Sequence, residues 1–359
     1  MSASTLTRPT DLGNAAPLIK RTLPTVSVIV PCYNEERFIG QTLGNLIAQY
    51  PSHIYEIIVV DGMSEDSTRD VVESFQKLHP DVVIRLVLNP DRSIPKSLNL
   101  GIEQATGEMI ARMDAHAVPS RGYIRRCVEV LSTGNVEVVG MPCLVQAGAN
   151  TTTARAIALA VSHPFGIGDA RYRLGAGKNQ QEAVDTVAFA CFRRTLWERL
   201  GGYDENLLTN EDYDFNYRVR LQGDRVILDR TEHCNYFARE SLSKLSAQYR
   251  RYGKWKARMI KLHPRSVRVR HLVAPIFVAS IILLAALGLW RSEGWLILAA
   301  ELVLYFSLAS LFAAHAVRRA NETASVLFIL PAVFLVTHLS WGSSFLLGLV
   351  GDRVRNVKI

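Results

Sequence analysis

Four short apolar runs in the first third of the chain constrain its fold more than any other feature. They cover residues 25–30, 55–60, 82–88 and 106–113, and the segments between them carry apolar residues at helical spacing. Strands buried on both faces of a parallel sheet have this near-continuous apolar character, and helices connect such strands. The pattern therefore predicts an α/β fold with a mixed, mostly parallel central sheet flanked by helices. It excludes all-α and all-β folds for this half of the chain.

The expected helices follow the apolar spacing. The first begins at the pair Glu35–Glu36 and runs to Ile47, because acidic side chains in a first turn interact favourably with the helix dipole. Others are expected near residues 71–75, at 97–105 and near 124–131. The second half of the soluble region adds expected strands at residues 136–140, 187–192 and 226–228, and a helix that begins near Asn210.

Polar side chains follow the predicted strands at their carboxyl ends. Because ligands of open α/β sheets bind in the crevice at that edge, these side chains are candidates for one site. An aromatic ring there can stack on a base, and carboxylates can accept hydrogen bonds from base or ribose hydroxyls. A nucleotide fits this edge, and the candidate residues are Pro31, Tyr33, Asn34, Glu35, Asp61, Arg92, Lys96 and Asp114. For Asp61 the simpler alternative is an Asp-Gly turn with Gly62.

The sequence lacks the two best-known phosphate cradles. No Gly-x-Gly-x-x-Gly follows the first strand, and no Gly-x-x-x-x-Gly-Lys-Ser/Thr occurs in the chain. A divalent metal held by Asp114 and His116 would neutralise the phosphates instead. His233 is a candidate for a further ligand from the far side of the site. The alternative for His116 is a loop histidine that binds nothing.

The formal charge of +8 and the pI near 9.3 raise the question of nucleic-acid binding. Lys and Arg residues crowd positions 250–270, directly before an apolar region that begins at Val273. A basic run beside membrane segments is attracted to anionic lipid and marks the cytoplasmic side. We therefore expect a membrane as the partner, and no nucleic acid. The five cysteines show no paired spacing, which indicates reduced thiols of a cytosolic domain.

Three apolar runs in the last third are long enough, or nearly so, to cross a bilayer: residues 273–290, 295–314 and 324–350. The positive-inside rule assigns the loop at Arg318–Arg319 and the segment before Val273 to the cytoplasm. The basic C-terminal tail conflicts with a simple third span. A re-entrant hairpin around Trp341–Gly342 would resolve this conflict.

Four motifs in consistent order carry a resemblance to a known family. They are Val-Ile-Val-Pro-Cys-Tyr-Asn-Glu at 28–35, Val-Val-Asp-Gly-Met-Ser-Glu-Asp-Ser-Thr at 59–68, Asp-Ala-His at 114–116 and Asn-Glu-Asp at 210–212. Over residues 24–255 the chain resembles the family 2 glycosyltransferases of GT-A fold. Among them it is most similar to the membrane-associated glucosyltransferases of succinoglycan-type exopolysaccharide assembly, which carry Asp-Ala-His where most relatives have Asp-x-Asp. The resemblance implies Mn²⁺ or Mg²⁺, and the imidazole favours Mn²⁺.

The resemblance also implies roles for residues of the second half. Asp212 would be the general base beside Glu211, although without the preceding motifs both acids would be read as helix caps. Gln248, Arg251 and Tyr252 resemble the Gln-x-x-Arg-Trp region of processive relatives and would contact the diphosphate or the acceptor. Tyr252 stands where those relatives have Trp, which argues against processive polymerisation.

The implied activity is that of an inverting hexosyltransferase in polysaccharide biosynthesis. It would transfer glucose from UDP-glucose to an undecaprenyl-diphosphate-linked saccharide, with its catalytic domain on the cytoplasmic side of the inner membrane. Two alternatives stay open: transfer to a polyprenyl phosphate itself, and a membrane-anchored scaffold that binds nucleotide sugars without catalysis. A glycine-bearing stretch at Gly175–Asn179 is expected to form a lid over the active site.

The expected organisation places these features in order along the chain. It consists of a flexible tail (1–23), a GT-A catalytic domain (24–240), an amphipathic basic and aromatic segment (241–272), a multi-pass membrane region (273–351) and a basic tail (352–359).

Overall fold

The computed structural model of the protein describes residues 23–175, 177 and 179–351. Its strands form an eight-stranded sheet of order β3-β2-β1-β4-β9-β6-β10-β8 and a three-stranded sheet of order β5-β11-β7. The strands are β1 Val26–Cys32, β2 Tyr55–Asp61, β3 Val83–Leu88, β4 Met109–Arg112, β5 Ala117–Pro119, β6 Val138–Gly140, β7 Cys143–Gln146, β8 Gln181–Ala183, β9 Cys191–Arg193, β10 Val226–Asp229 and β11 Cys234–Phe237. The helices are α1 Ile39–Leu46, α2 Thr68–Leu78, α3 Ile94–Glu103, α4 Tyr123–Leu131, α5 Thr152–Ala160, α6 Pro164–Ile167, α7 Arg194–Leu200, α8 Glu211–Leu221, α9 Leu242–Leu262, α10 Arg270–Gly288, α11 Ser292–Ala320 and α12 Ala324–Gly351.

The large sheet is parallel at one end and mixed at the other. β1 lies between β2 and β4 and pairs with both in parallel, and β3 extends the parallel set beyond β2. β9 runs antiparallel between β4 and β6. Every residue of β2 is buried, which explains why its sequence is nearly continuous in apolar residues. The expected α/β fold with a mixed, mostly parallel sheet is confirmed.

Alternate side chains of β1 enter two different apolar cores. Val28 and Val30 pack with residues of α1 and α4, whereas Ile29 packs with residues of α3 and α8. A slip of one residue would exchange the two sets of side chains, so the register of β1 is strongly specified. This packing fixes the carboxyl end of β1 and the polar turn that follows it.

The first helix begins later than its sequence indicates. α1 starts at Ile39, and Glu35 and Glu36 lie in the preceding turn. The backbone N–H of Glu35 donates to Thr68 Oγ1 at 2.8 Å, and the Glu36 carboxylate accepts from the backbone N–H of Ser67 at 3.0 Å. These contacts tie the turn to the start of α2, so the expectation of an acidic first turn in α1 is wrong.

Two other element boundaries differ from the expectation. α3 begins at Ile94 rather than at Ser97, because Pro95 needs no hydrogen-bond partner for its nitrogen in a first helical turn. The strand expected at 187–192 is limited to β9, since Phe189 adopts a positive φ of 50° that interrupts the extended backbone. Ala176 and Lys178 of the expected lid, residues 1–22 of the expected flexible tail over 1–23, and the expected basic tail over 352–359 lie outside the described residues.

The three C-terminal helices α10, α11 and α12 are long and apolar enough to cross a membrane. α10 and α11 expose large apolar side chains along their length, among them Ile276, Leu283, Leu296, Leu304 and Leu311. α12 instead packs against α9, α5 and α6 of the α/β domain as well as against α10 and α11. Residues of α12, α11, α5 and α9 share one apolar core, which includes Ile157, Leu245, Ala309, Leu330 and Phe334. α12 is therefore held between the α/β domain and the α10–α11 pair.

α12 runs as one helix from Ala324 to Gly351, so the expected re-entrant hairpin at Trp341–Gly342 is wrong. The physical reason is close packing through small residues. Gly342 lies directly against the backbone of Ala274 in α10, and Gly253 of α9 lies against the carbonyl of Trp341. Gly342 permits this close approach without interrupting the helix.

Replacing Gly253 by Ala should force α9 away from α12 and lower stability by about 1–3 kcal/mol, the usual cost of overpacking. A Cβ at this position would overlap the Trp341 carbonyl, which is backbone and cannot rotate away. The matched control is Gly44→Ala in α1, where a new Cβ would meet only the ring of Phe75 at 4.0 Å. Thermal unfolding of the two purified variants compares them, and equal melting temperatures would contradict the tight α9–α12 contact.

Candidate active site

A cavity of about 780 Å³ lies at the carboxyl ends of β1 and β4 and extends along α8 and α9 to the apolar helices α10, α11 and α12. The residues predicted for the site that line this cavity are Pro31, Tyr33, Glu35, Arg92, Asp114, His116, Glu211, Asp212, Gln248, Arg251 and Tyr252. The other predicted residues do not line the cavity: Asn34, Asp61, Lys96 and His233. The fold thus brings together strand ends, the start of α8 and the middle of α9.

Tyr33 and Arg92 form the outer edge of the cavity. Arg92 Nη1 donates to the Tyr33 hydroxyl at 3.2 Å, and the guanidinium lies 5.2 Å from the centre of the ring. The tyrosine is 43% exposed. An exposed ring beside a cation offers a flat surface on which a nucleotide base can stack.

Three of the residues that do not line the cavity contact the turns after the strands. Asp61 is fully buried, and its Oδ2 accepts a hydrogen bond of 2.9 Å from the backbone of the following turn. Asn34 Oδ1 accepts from the backbone N–H of Glu65 at 2.8 Å, which joins the turn after β1 to the turn after β2. Lys96 forms an ion pair with Asp91. These three side chains therefore stabilise the turns at the strand ends and do not line the cavity.

Asp114 and His116 follow β4 and face the same cavity. His116 Nδ1 lies 2.9 Å from Glu35 Oε1. Burial alone would lower the pKa of His116, but the hydrogen bond to Glu35 and the charge of Asp114 outweigh it and raise the pKa. A carboxylate on one ring nitrogen is the usual partner of a metal-binding histidine, since it orients the ring and leaves Nε2 for the metal.

The donors at this position fit a divalent cation that is bound only in part by protein side chains. Across residues 23–175, 177 and 179–351, no group of three or more His, Cys, Asp and Glu side chains is arranged to hold a metal by itself. His233 is away from the pair, with its backbone N–H on Ser120 Oγ at 3.2 Å. Asp114 and His116 supply one oxygen and one nitrogen donor on one wall of the cavity, which fits a divalent cation whose other ligands come from outside the protein.

Arg112 links the two halves of the site, and sequence reasoning missed it. Its side chain is buried at the end of β4, with Nη2 3.2 Å from Asp114 Oδ1 and Nη1 2.9 Å from Glu211 Oε1. The approach to Glu211 is an ion pair without hydrogen-bond alignment, because Nη1 makes no hydrogen bond of good geometry. A lone arginine inside an apolar strand was the available signal, since a buried charge requires partners.

Glu211 and Asp212 begin α8 but differ in environment. Glu211 is buried against Arg112; burial raises its pKa to about 7 with the help of the neighbouring Asp212, against the pull of the arginine. The carboxylate of Asp212 accepts from the backbone N–H of Tyr213 at 2.6 Å and lines the cavity. Within the part of the chain that the structure describes, Asp212 belongs to no ion pair. Of the two acids, Asp212 is the one available to a substrate.

Tyrosines surround the middle of the cavity. Gln248 Nε2 donates to the hydroxyls of Tyr252 at 3.0 Å and Tyr236 at 3.2 Å. Arg173, which sequence reasoning did not single out, places its guanidinium 5.5 Å from the centre of the Tyr236 ring. Arg251 lies 5.9 Å from the centre of the Tyr252 ring. Two cations and several hydroxyls on this wall can bind an anionic or hydroxyl-rich ligand.

The far end of the cavity is aromatic and is formed mainly by the apolar helices α10, α11 and α12. Phe277 of α10 stacks on Tyr305 of α11 at a centroid distance of 4.6 Å, and the Tyr305 hydroxyl lies 2.9 Å from His338 Nδ1 of α12. Trp341 and Phe165 also line this end. The same cavity therefore connects the strand ends with the interior of the apolar helices.

Comparisons with known proteins agree with this architecture. Residues 27–201 match the family model described as Glycosyl transferase family 2. A Methanococcus voltae protein, dolichyl N-acetyl-alpha-D-glucosaminyl phosphate 3-beta-D-2,3-diacetamido-2,3-dideoxy-beta-D-glucuronosyltransferase, is 26% identical over 241 residues, which are 66% of this chain and 74% of the relative. Succinoglycan biosynthesis protein ExoA of Rhizobium meliloti is 28% identical over 257 residues, which are 71% of this chain and 75% of the relative.

Among solved structures, mannosyltransferase PcManGT from Pyrobaculum calidifontis, in complex with GDP-Man and Mn²⁺, superposes with a TM-score of 0.58 at 22% identity. The match covers 89% of this chain and 88% of that one, so it extends over the α/β domain and beyond. At this identity the likeness concerns the fold. Residues 27–201 of the chain are therefore a glycosyl transferase family 2 domain with the GT-A fold.

Proposed function

We propose that the protein is an inverting hexosyltransferase that transfers glucose from UDP-glucose to an undecaprenyl-diphosphate-linked saccharide. The observation that carries this proposal is the cavity itself. It joins the strand-end edge with Tyr33 and Arg92, the pair Asp114 and His116, the unpaired carboxylate of Asp212 and the interior of the apolar helices. A nucleotide sugar and a lipid-linked acceptor can enter such a cavity from opposite ends.

Asp212 is the proposed general base. Its carboxylate takes the proton of an acceptor hydroxyl, and the oxygen attacks the anomeric carbon in line with the departing diphosphate. Inversion in one step needs no protein nucleophile. Arg112 holds Asp114 on one side and Glu211 on the other, which keeps the base next to the diphosphate end of the donor. Mn²⁺ or Mg²⁺ bound at Asp114 and His116 would supply charge neutralisation for the leaving diphosphate.

The donor and the acceptor are inferred from relatives. The Methanococcus protein is named for transfer to a dolichyl-phosphate-linked sugar, and ExoA for succinoglycan biosynthesis. Both names describe sugar transfer or polysaccharide assembly, which supports a lipid-linked saccharide as the acceptor. UDP-glucose follows from the motif resemblance to succinoglycan-type enzymes, whereas the structural relative holds GDP-Man, so other donors belong in the same assay.

The proposed location is the inner membrane, with the α/β domain in the cytoplasm. The Arg155 side chain of α5 lies 3.3 Å from the carboxylate of Glu322 in the α11–α12 loop, so this loop and the α/β domain share one side. Arg318 and Arg319 precede the loop, and basic residues also crowd α9 before α10. Basic residues on that side support a cytoplasmic orientation.

A donor screen on the full-length protein in lipid nanodiscs tests the proposal. UDP-glucose and GDP-mannose are each offered with a bacterial lipid extract, with Mn²⁺ or with EDTA, and transfer to lipid is measured. We expect metal-dependent transfer from UDP-glucose. Transfer to purified polyprenyl phosphate alone would favour the polyprenyl-phosphate alternative, and nucleotide binding without transfer from any donor would favour a scaffold.

His116 should determine the metal preference. His116→Asp replaces a neutral nitrogen by an anionic oxygen, so UDP affinity with Mg²⁺ should improve relative to that with Mn²⁺. His116→Ala should lose the metal-dependent part of UDP affinity. Calorimetry of UDP binding with each metal compares both variants with the parent protein. His233→Ala is the control, and unchanged affinities in both His116 variants would show that His116 binds no metal.

A further inference from the structure

Lys256 of α9 is a buried cation on the cavity wall without an anionic partner. Its side chain is only 5% exposed, and its Nζ lies 3.2 Å from the centre of the Tyr213 ring. Among the ion pairs of the described residues, none includes Lys256. A buried ammonium group is costly unless an anion or hydrogen bonds compensate for lost hydration, so this position is prepared for a ligand.

The neighbouring cations have partners within the protein. Arg270 forms ion pairs with Asp169 and Asp185, and Arg268 lies 4.0 Å from Asp185. Burial lowers the pKa of Lys256 to about 7, although the charge of Asp212 opposes the shift. An anion that approached the amine would restore its full charge and gain a charge-assisted hydrogen bond.

Lys256 also lies between the proposed base and the aromatic end of the cavity. Tyr213, which touches Lys256, directly follows Asp212 in α8. The same ring contacts His271 of α10 at a centroid distance of 5.7 Å, and His271 stacks on Trp341 at 6.4 Å. This series of contacts leads from the base, past the amine, to the membrane helices.

We propose that the cavity binds a polyprenyl diphosphate, with a phosphate on Lys256 Nζ and the start of the hydrocarbon chain against Phe277, Tyr305 and Trp341. The assignment rests on the proposed function, because this lipid would carry the acceptor saccharide. The saccharide then extends from the phosphate toward Asp212, and the apolar chain leaves between α10, α11 and α12. The other diphosphate group that could contact Lys256 Nζ is that of the donor nucleotide.

Binding of farnesyl diphosphate, a short prenyl diphosphate, tests the site without any sugar transfer. The full-length protein in nanodiscs is saturated with UDP and Mn²⁺ so that the donor site is filled, and its affinity is measured for farnesyl diphosphate, farnesol and inorganic diphosphate. Lys256→Met should weaken farnesyl diphosphate binding by about tenfold to hundredfold, the value of a hydrogen bond to a charged group, and should leave farnesol binding unchanged. The control is Lys254→Met, which removes an exposed lysine from the same helix.

Each other outcome overturns a stated part of the proposal. If Lys256→Met keeps the preference for farnesyl diphosphate over farnesol, the phosphate does not bind there. If UDP affinity falls by the same factor, the amine serves the donor. If inorganic diphosphate binds as tightly as farnesyl diphosphate, the aromatic wall takes no hydrocarbon. Lys256→Gln replaces the Met variant if that variant does not fold. Absence of sugar transfer in the donor screen would overturn the proposed function and leave these binding results standing.

Discussion

Replacing Asp212 by Asn is expected to lower turnover by about 10²–10⁴-fold, the usual contribution of a general base. The amide keeps the size of the side chain and can still accept a hydrogen bond from the backbone of Tyr213, so the start of α8 should remain folded. UDP binding should be retained, because Asp212 contacts the acceptor in the proposed mechanism. Steady-state transfer rates and calorimetry of UDP binding measure the two quantities separately.

The control for this change is Asp70→Asn, which removes an acidic residue from the first turn of α2. It removes the same kind of favourable contact with a helix dipole but lies outside the cavity. Transfer should be unchanged in this variant. A turnover for Asp212→Asn close to that of Asp70→Asn would remove Asp212 from the base role, and Glu211→Gln would then be the next variant to measure.

Replacing Arg112 by Met should destabilise the protein by about 3–5 kcal/mol, the usual cost of breaking a buried ion pair by removing one partner. The change leaves Glu211 buried without its cation and removes the contact that positions Asp114. Thermal unfolding of the detergent-solubilised protein should show a lower melting temperature. Transfer should be lost as well, because β4 and α8 are no longer joined at the site.

Arg125→Met is the matched control, since Arg125 is an exposed arginine of α4. It should change the melting temperature little. The double variant Arg112→Met with Glu211→Gln should recover part of the lost stability, because a neutral amide is less costly to bury than an unpaired carboxylate. A single Arg112→Met variant as stable as Arg125→Met would mean that the ion pair contributes nothing to the fold.

The strands were predictable because a strand that is buried on both faces has a continuous apolar sequence, as β1 and β2 do. The polar residues after those runs were predictable for the same reason, since parallel strands end at one edge. What local sequence cannot give is the partner of a side chain. Glu35 reads as a first-turn helix residue, yet the contact between its turn and α2 places its carboxylate on His116, which is 81 positions away.

Arg112 and Arg173 show the same limit, because neither was assigned to the site from the sequence. Each is a single arginine in sequence, and although the apolar strand around Arg112 indicates burial, nothing within a few positions shows which groups either side chain contacts. Only the packing of distant elements does, when β4 meets α8 and when Tyr236 is brought beside Arg173. The prediction of a hairpin at Trp341–Gly342 was wrong for a similar reason. Gly342 does not interrupt the helix but is a contact point between α12 and α10.

The packing of α12 also makes the α/β domain depend on a helix outside it. α12 follows α5 and α9 along the chain, yet it supplies Leu330, Val333 and Phe334 to the core that also contains residues of α5 and α9. The α/β domain therefore completes this core only once α12 has been synthesised and has packed against it. A misplaced α12 would leave this core open, so the packing of α12 and the completion of the α/β domain are a single coupled step.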